Sequence, residues 1–196
     1  DPEELGYPLL VKAAAGGGGR GMRVVRDANE LEEAFEAAAR EAEAAFGDGT
    51  VYCERFLPRP RHVEVQLMGD RHGNVVALGE RDCSVQRRHQ KVMEESPPPR
   101  LPAGVSALLA RHAVAFGEAI GYESAGTAEF LVDGDDVFFL ELNGRIQVEH
   151  PVTEAVTQLD VVELQLTVAD GGSLADLEVE SHGHAVEARL YAEDPR

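Results

Sequence analysis

The run AEFLVDGDDVFFLELN, residues 128–143, constrains the fold more than any other stretch. Apolar blocks at 127–132 and 137–142 flank Asp133-Gly134-Asp135-Asp136, the signature of an antiparallel hairpin. A three-residue loop at 134–136 sets Glu129 directly opposite Glu141 with both side chains on one face. Asn143, two residues on, points the same way. Two carboxylates and an amide oxygen then converge where like charges otherwise repel. Such a donor set suits Mg²⁺, which takes oxygen ligands and typically one or two carboxylates beside substrate phosphates. A solvated strand face explains the spacing equally well on its own.

The rest of the chain supplies elements that pack around such a hairpin. Residues 7–12 form a short buried strand, a glycine-rich loop follows, and residues 22–26 return antiparallel. Asp27 is an N-cap for the segment LEEAFEAAAREAEAAF, where Leu31, Phe35, Ala38, Ala42 and Phe46 recur at helical spacing before Gly47 and Gly49 end it. A strand at 51–56 runs into a linker carrying Pro58 and Pro60. That linker divides the chain into a small subdomain, residues 1–57, and a larger one, residues 58–196. In the larger part, HVEVQL alternates polar and apolar residues, turns at 70–74 and returns through 75–80. Helices at about 103–120 and 153–169 and a strand at 183–191 complete an α+β pattern without internal repeats.

Gly16-Gly17-Gly18-Gly19-Arg20-Gly21 offers unhindered backbone N–H groups that can lie close to phosphate oxygens. It is not a P-loop, because no Gly-Lys-Ser/Thr follows, and not a dinucleotide fingerprint, because a strand rather than a helix comes next. Lys12 ends the preceding strand, where its ammonium can neutralise a phosphate. Alone, the loop is as readily a surface turn and the lysine a solvated one. Behind Asn143, an extended chain projects Arg145, Gln147 and Glu149 to one side, with His150-Pro151 ending it. A guanidinium that forks a planar anion, beside a carboxylate able to take its proton, makes an anion site with a base. Ordinary strand polarity is the competing explanation.

The segment RDCSVQRRHQKVMEE, residues 81–95, concentrates charge in a way that normally marks an exposed face. Together with GGGGRGM and NGRIQVEHPVTE, in this order and spacing, it resembles the signatures of the biotin carboxylases within the ATP-grasp superfamily. The similarity extends through GHAVEARLYAEDP at 183–195, almost the whole chain. The resemblance implies an ATP-grasp fold with a small mobile lid, residues 1–57, and a larger catalytic part. It also implies ATP, magnesium (or manganese) and biotin as cofactors, and an enzyme that carboxylates biotin on a carrier protein as the first half-reaction of an acyl-CoA carboxylase.

By motif matching, Gly18, Gly19 and Gly21 cover the nucleotide. Lys12 contacts its phosphates, Glu54 and Leu57 its adenine, and His62, Gln86 and His89 its ribose or nearby polar groups. Met22 and Leu131 supply apolar walls. Glu129 and Glu141, with Asn143 close by, hold the metal. Lys91, Arg145, Gln147 and the backbone of Val148 hold bicarbonate, Glu149 is its base, and Arg189 steadies the biotin enolate. Gly144 stands where relatives often carry threonine, alanine or proline; it points away from its neighbours and implies tuning rather than loss. The family also has an N-terminal domain and further C-terminal sequence, so the chain is expected to be a fragment that binds ATP weakly by itself. Rival assignments are a carbamoyl-phosphate synthetase-like ATP-grasp ligase, against which HQKVMEE argues, and a nucleotide-binding module inactive on its own.

Composition excludes several classes. At 196 residues and 43% hydrophobic, the chain can bury a substantial core. A formal net charge of −18 disfavours nucleic acid and anionic membranes. No stretch approaches the roughly 20 apolar residues that span a bilayer, so a cytoplasmic setting is expected. Cys53 and Cys83 are too few for a disulfide framework. Expected partners are a biotin carboxyl carrier domain, a carboxyltransferase and a second copy of the chain through regions outside these residues. The final acyl acceptor is not encoded here.

Overall fold

The computed structural model describes residues 2–15 and 22–192. The expected phosphate-covering residues Gly18, Gly19 and Gly21 lie outside the described residues. The chain divides into two compact units, Asp1–Pro58 with Arg88–Gln90, and Arg59–Arg87 with Lys91–Arg196.

In the first unit, a short helix α1 (Pro2–Leu5) precedes a three-stranded antiparallel sheet of β1 (Leu9–Ala13), β2 (Arg23–Val25) and β3 (Val51–Arg55), with β1 central. Helix α2 (Leu31–Phe46) covers it, and Ala38 with partly buried Leu31 and Phe35 packs on Leu9, Val11 and Val25. Asp27 caps a 3-10 turn at Ala28–Glu30 rather than α2 itself, through Oδ1 and the Asn29 N–H at 2.8 Å. Gly47 ends α2 in the left-handed conformation at φ 71°, the position where a Cβ is costly.

The second unit is a six-stranded sheet in the order β8-β7-β4-β5-β6-β9, formed by β4 (Arg61–Gly69), β5 (Val75–Arg87), β6 (Gln90–Ser96), β7 (Ser124–Asp133), β8 (Asp136–Asn143) and β9 (Ala185–Ala188). Helix α3 (Val105–Ile120) lies against β4 and β5, where Leu109 and Ala113 meet Val63, Val65 and Leu67, the odd-numbered residues of β4. The even-numbered residues face the opposite side. There Met68 joins an apolar cluster with Val161 and Val168 of α5 (Val161–Ala169), while Glu64 and Gln66 are wholly buried. HVEVQL therefore alternates not between core and solvent but between an apolar core and a buried polar one.

Three expectations are corrected. The helix expected over 153–169 is two, α4 (His150–Thr157) and α5, separated at Gln158, whose φ is 61°. Asp160 caps α5 through the Glu163 N–H at 2.8 Å. Pro151 does not end a strand but opens α4, where its missing N–H has no intrahelical partner to lose. The charged stretch 81–95 is an exposed face only in part: it is the end of β5 and nearly the whole of β6, joined at Arg88 and His89 with φ of 52° and 64°, and while 87–90 are exposed, Arg81, Asp82, Cys83 and Glu94 are buried.

The β7–β8 hairpin reaches its expected pairing by a different route. The turn is one residue shorter, pairing Asp133 with Asp136 across Gly134 and Asp135, and Gly134 has a φ of 62°. An irregularity at Leu140 then shifts the ladder by one residue, so that Glu129 stands opposite Glu141.

Candidate active site

Backbone register alone draws a line of charge across the second sheet. Glu64 of β4 pairs with Arg81 of β5 on one side and Glu129 of β7 on the other, and Glu129 pairs with Glu141 of β8. Directly opposed residues share a face, so four charged side chains lie in one row. Three are buried; Glu141, at the end of the row, is exposed and has no side-chain partner among the described residues.

Lys91 resolves the repulsion. Its ammonium donates to Glu64 Oε2, to Glu129 Oε1 at 2.9 Å and to Glu149 Oε1 at 2.6 Å. Burial lowers the lysine's proton affinity, but the carboxylates more than reverse this and hold the ammonium charged far above its ordinary range. Burial likewise pushes the Glu129 carboxyl up, and His62 and Lys91 together override it and bring it down to about 2. Glu149 follows the same logic, with Lys91 holding it below the usual carboxylate range against burial.

Arg81 organises the floor of the site. Its guanidinium is wholly buried and its fork is used in full: Nε to Glu64 Oε1 at 2.7 Å, one terminal nitrogen to Gln66 Oε1 at 2.7 Å and Thr153 Oγ1 at 3.0 Å, and the other to Thr127 Oγ1 at 3.2 Å and Gln147 Oε1 at 3.4 Å. With its Oε1 turned to Arg81, Gln147 donates its Nε2 to Glu129 Oε1 at 3.1 Å. Asn143 Nδ2 donates to the same oxygen at 3.0 Å.

Glu149 is gripped on both oxygens, by Lys91 on one and by the Arg189 terminal nitrogen at 3.0 Å on the other. Gln86 Nε2 lies 3.0 Å from His62 Nδ1, and His62 Nε2 sits 2.9 Å from Glu129 Oε2 without hydrogen-bond alignment. Lys91, Glu129, Asn143, Gln147, Glu149, Arg189, His62 and Gln86 thus form one connected group. Arg145 is not in it: the chain leaves β8 after Asn143 and turns at 148–149, Arg145 is exposed, and its guanidinium donates to Ile146 O at 3.2 Å. The extended run expected there is absent, and the alternation of Arg145, Gln147 and Glu149 is broken with it. Val148 is exposed and Leu131 half-buried, the latter opposite His62.

In the first unit, Lys12 Nζ meets Glu54 Oε2 at 2.9 Å and lies 5.8 Å from the centre of the Tyr52 ring. Burial lowers its proton affinity and Glu54 reverses this, leaving it raised. Met22 lines an open groove of about 540 Å³ with Val24 and Ala34. Leu57 is half-buried and His89 exposed.

Residues 2–177 match the family described as carbamoyl-phosphate synthase L chain, ATP binding domain. The chain belongs to this family. Within it, the chain is 54% identical to the pyruvate carboxylase of Aspergillus niger, covering 98% of this chain and 17% of that one. It is 51% identical to the mitochondrial methylcrotonoyl-CoA carboxylase subunit alpha of Dictyostelium discoideum, covering 98% and 28%. Among solved structures, the Campylobacter jejuni biotin carboxylase β,γ-ATP complex superposes with a TM-score of 0.92 at 52% identity, over 98% of this chain and 44% of that one. The biotin carboxylase domain dimer of Hydrogenobacter thermophilus 2-oxoglutarate carboxylase, with MgADP, ADP and bicarbonate, gives 0.90 at 45%, over 98% and 43%. This family member has the ATP-grasp fold of the biotin carboxylases, as the motifs implied, and spans less than half the length of each of these relatives.

Sequence reasoning passed over Glu64, Gln66, Arg81, Thr127, Thr153 and Glu94. The signal for the first two was available, since Glu64 and Gln66 share the face of His62 in HVEVQL.

Proposed function

We propose that this chain is the ATP-grasp core of a biotin carboxylase, carboxylating biotin from ATP and bicarbonate through carboxyphosphate. The observation that carries this is the double grip on Glu149 by Lys91 and Arg189, inside a buried cluster built from NGRIQVEHPVTE and HQKVMEE. The names of the relatives above support the same reading.

The donors suit a magnesium ion. Glu129 Oε1 is already engaged by three donors, which leaves its Oε2, the Glu141 carboxylate and the Asn143 amide oxygen as hard oxygen ligands. Bound there, the ion supplies charge neutralisation for nucleotide phosphates. By motif matching, Lys12, Glu54, Leu57, Met22, Gly18, Gly19 and Gly21 are the nucleotide-binding residues of the lid, residues 1–57, and His62, Gln86, His89 and Leu131 those of the larger part.

Lys91, Arg145, Gln147 and the Val148 backbone receive bicarbonate. An anion that takes over the charge of Lys91 weakens the lysine's hold on Glu149 and raises the basicity of that carboxylate as its substrate arrives. Glu149 then accepts the bicarbonate proton while the anion attacks the terminal phosphate in line, breaking its bond to the β-phosphate so that ADP leaves and carboxyphosphate forms. Arg189 is left beside the reacting centre to steady the biotin enolate.

A carrier domain, a carboxyltransferase and a second copy of the chain are the partners this reading needs, and a cytoplasmic setting goes with it. No helix among the described residues is long and apolar enough to cross a membrane, and several relatives are named mitochondrial. The test is ATP cleavage by the full-length protein with Mg²⁺, bicarbonate and free biotin, each omitted in turn. Turnover that needs both and is lost in Glu149→Gln supports the proposal. Turnover indifferent to biotin sinks it and points to the carbamoyl-phosphate synthases that share the family name.

A further inference from the structure

Behind Arg189 lies a second pair of carboxylates that the reaction above does not use. Glu94 of β6 and Glu187 of β9 are direct partners in the antiparallel ladder, so their side chains stand face to face. Glu94 is wholly buried. Its Oε1 accepts from Arg189 Nε at 2.7 Å and lies 2.6 Å from a terminal nitrogen of the same guanidinium. Its Oε2 is buried with no hydrogen-bond partner, and so is Oε2 of Glu187. Two orphaned oxygens on opposed carboxylates are a costly arrangement if both groups are ionised. One proton repairs it, converting one acceptor into a donor to the other.

We propose that Glu94 and Glu187 share a single proton, carried by Glu187 and donated to Glu94 Oε2, and that this neutral-plus-anionic pair fixes Arg189 in its place beside Glu149. Glu187 carries the proton because Glu94 already answers the guanidinium. Burial raises both carboxyls, in agreement with this. Among the described residues, charged and titratable groups reach the pair from three segments. Lys91 approaches from β6, Glu149 and His150 from the start of α4, and Arg189 and Tyr191 from the chain after β9. Glu154 of α4 is held by the Val161 N–H at 2.7 Å. Glu95, on the other face of β6, pairs with His184 at 3.0 Å.

Arg189 thus bridges two anions, Glu94 on one side and Glu149 on the other. A second negative charge at Glu187 draws the guanidinium away from Glu149. Glu187 is therefore a positioning residue, and its influence is lost as rising pH removes the shared proton. The consequence for turnover rests on the biotin carboxylase proposal; the shared proton itself does not.

Infrared spectroscopy of the full-length protein near pH 7.5 tests the proton without reference to activity. A protonated-carboxyl C=O band is expected in the wild type, disappearing on alkaline titration and absent in Glu187→Gln. A wild-type spectrum without the band overturns the proposal, as does a band that survives in Glu187→Gln. If biotin- and bicarbonate-dependent ATP cleavage is present, Glu187→Gln should keep kcat within about threefold at neutral pH and lose the alkaline fall, because its amide donates permanently. Glu187→Asp should shift that fall, and Glu94→Gln should lower kcat at least tenfold. An unchanged alkaline limb in a folded Glu187→Gln overturns the positioning role, while absence of biotin-dependent turnover in the wild type, with the band present, overturns only the assigned reaction.

Discussion

Glu64 and Glu129 face each other across neighbouring strands in the interior of the sheet, two carboxylates in direct register, and both are held by the ammonium of Lys91. The stability of the site and its reactivity both follow from that one bridge.

Removing the bridge leaves Glu64 to Arg81 and Glu149 to Arg189, and strips Glu129 of its lysine partner inside the sheet. Lys91→Met is expected to destabilise the protein by about 3–5 kcal/mol, the scale for breaking a buried ion pair from one side. Urea unfolding measures it, and a loss under about 1 kcal/mol would mean that the carboxylates are solvated or protonated.

The pH dependence of stability follows from Glu129. Its folded-state carboxyl lies at about 2 against an unfolded value of 4.5, so the stabilisation is fully present above about pH 4.5 and is lost as pH falls toward 2. A shift of that size corresponds to on the order of 3 kcal/mol. Urea midpoints measured from pH 6 to pH 3 should fall less steeply in Glu129→Gln than in the wild type.

Arg81→Lys keeps the charge and loses the fork. A lysine cannot reach Glu64, Gln66, Thr127, Thr153 and Gln147 together, so buried acceptors are left open and the cost is roughly 2–3 kcal/mol. The freed Gln147 amide should also raise KM for bicarbonate more than it lowers kcat. A wild-type urea midpoint in this variant would contradict the packing role.

Tyr122 sits against two glycines. A Cβ on Gly69 would fall 2.0 Å from the Tyr122 carbonyl oxygen, and one on Gly126 would fall 2.4 Å from its hydroxyl. Backbone yields less readily than a side-chain end, so Gly69→Ala should cost more than Gly126→Ala, with both at or above the ~1–3 kcal/mol typical of overpacking. Thermal denaturation of the two variants gives the order directly.

In the first unit, Lys12 separates folding from function. Its ion pair with Glu54 is partly exposed and is worth no more than about 1 kcal/mol. Lys12→Gln should leave the thermal midpoint nearly unchanged while weakening nucleotide binding at least tenfold by calorimetry on the full-length protein.

How far the sequence carried this depends on the residue. The opposition of Glu129 and Glu141 was legible, although the turn that produces it is one residue shorter than composition suggested and Leu140 makes up the difference. A bulge has no reliable sequence signal, since it is selected by the ladder around it. The β5–β6 turn was hidden because Arg88 and His89 occupy left-handed conformations usually reserved for glycine or asparagine. The helix break at Gln158 was hidden for the same reason. The shared face of His62, Glu64 and Gln66 was legible in HVEVQL, but Arg81 sat in a charged run of the kind that usually marks a surface, and the register of β4 with β5 is what shows that Glu64 and Arg81 neutralise one another.

That mutual neutralisation has an evolutionary side. Buried ion pairs can often be exchanged for apolar residues of similar volume with no loss of stability, or a gain, provided both partners change at once. The same trade is open to Arg81 and Glu64, yet each single step toward it strands a charge. Drift at these positions is therefore locked by its neighbours, and a library that varies one residue at a time will find them immutable while a library of paired substitutions will not.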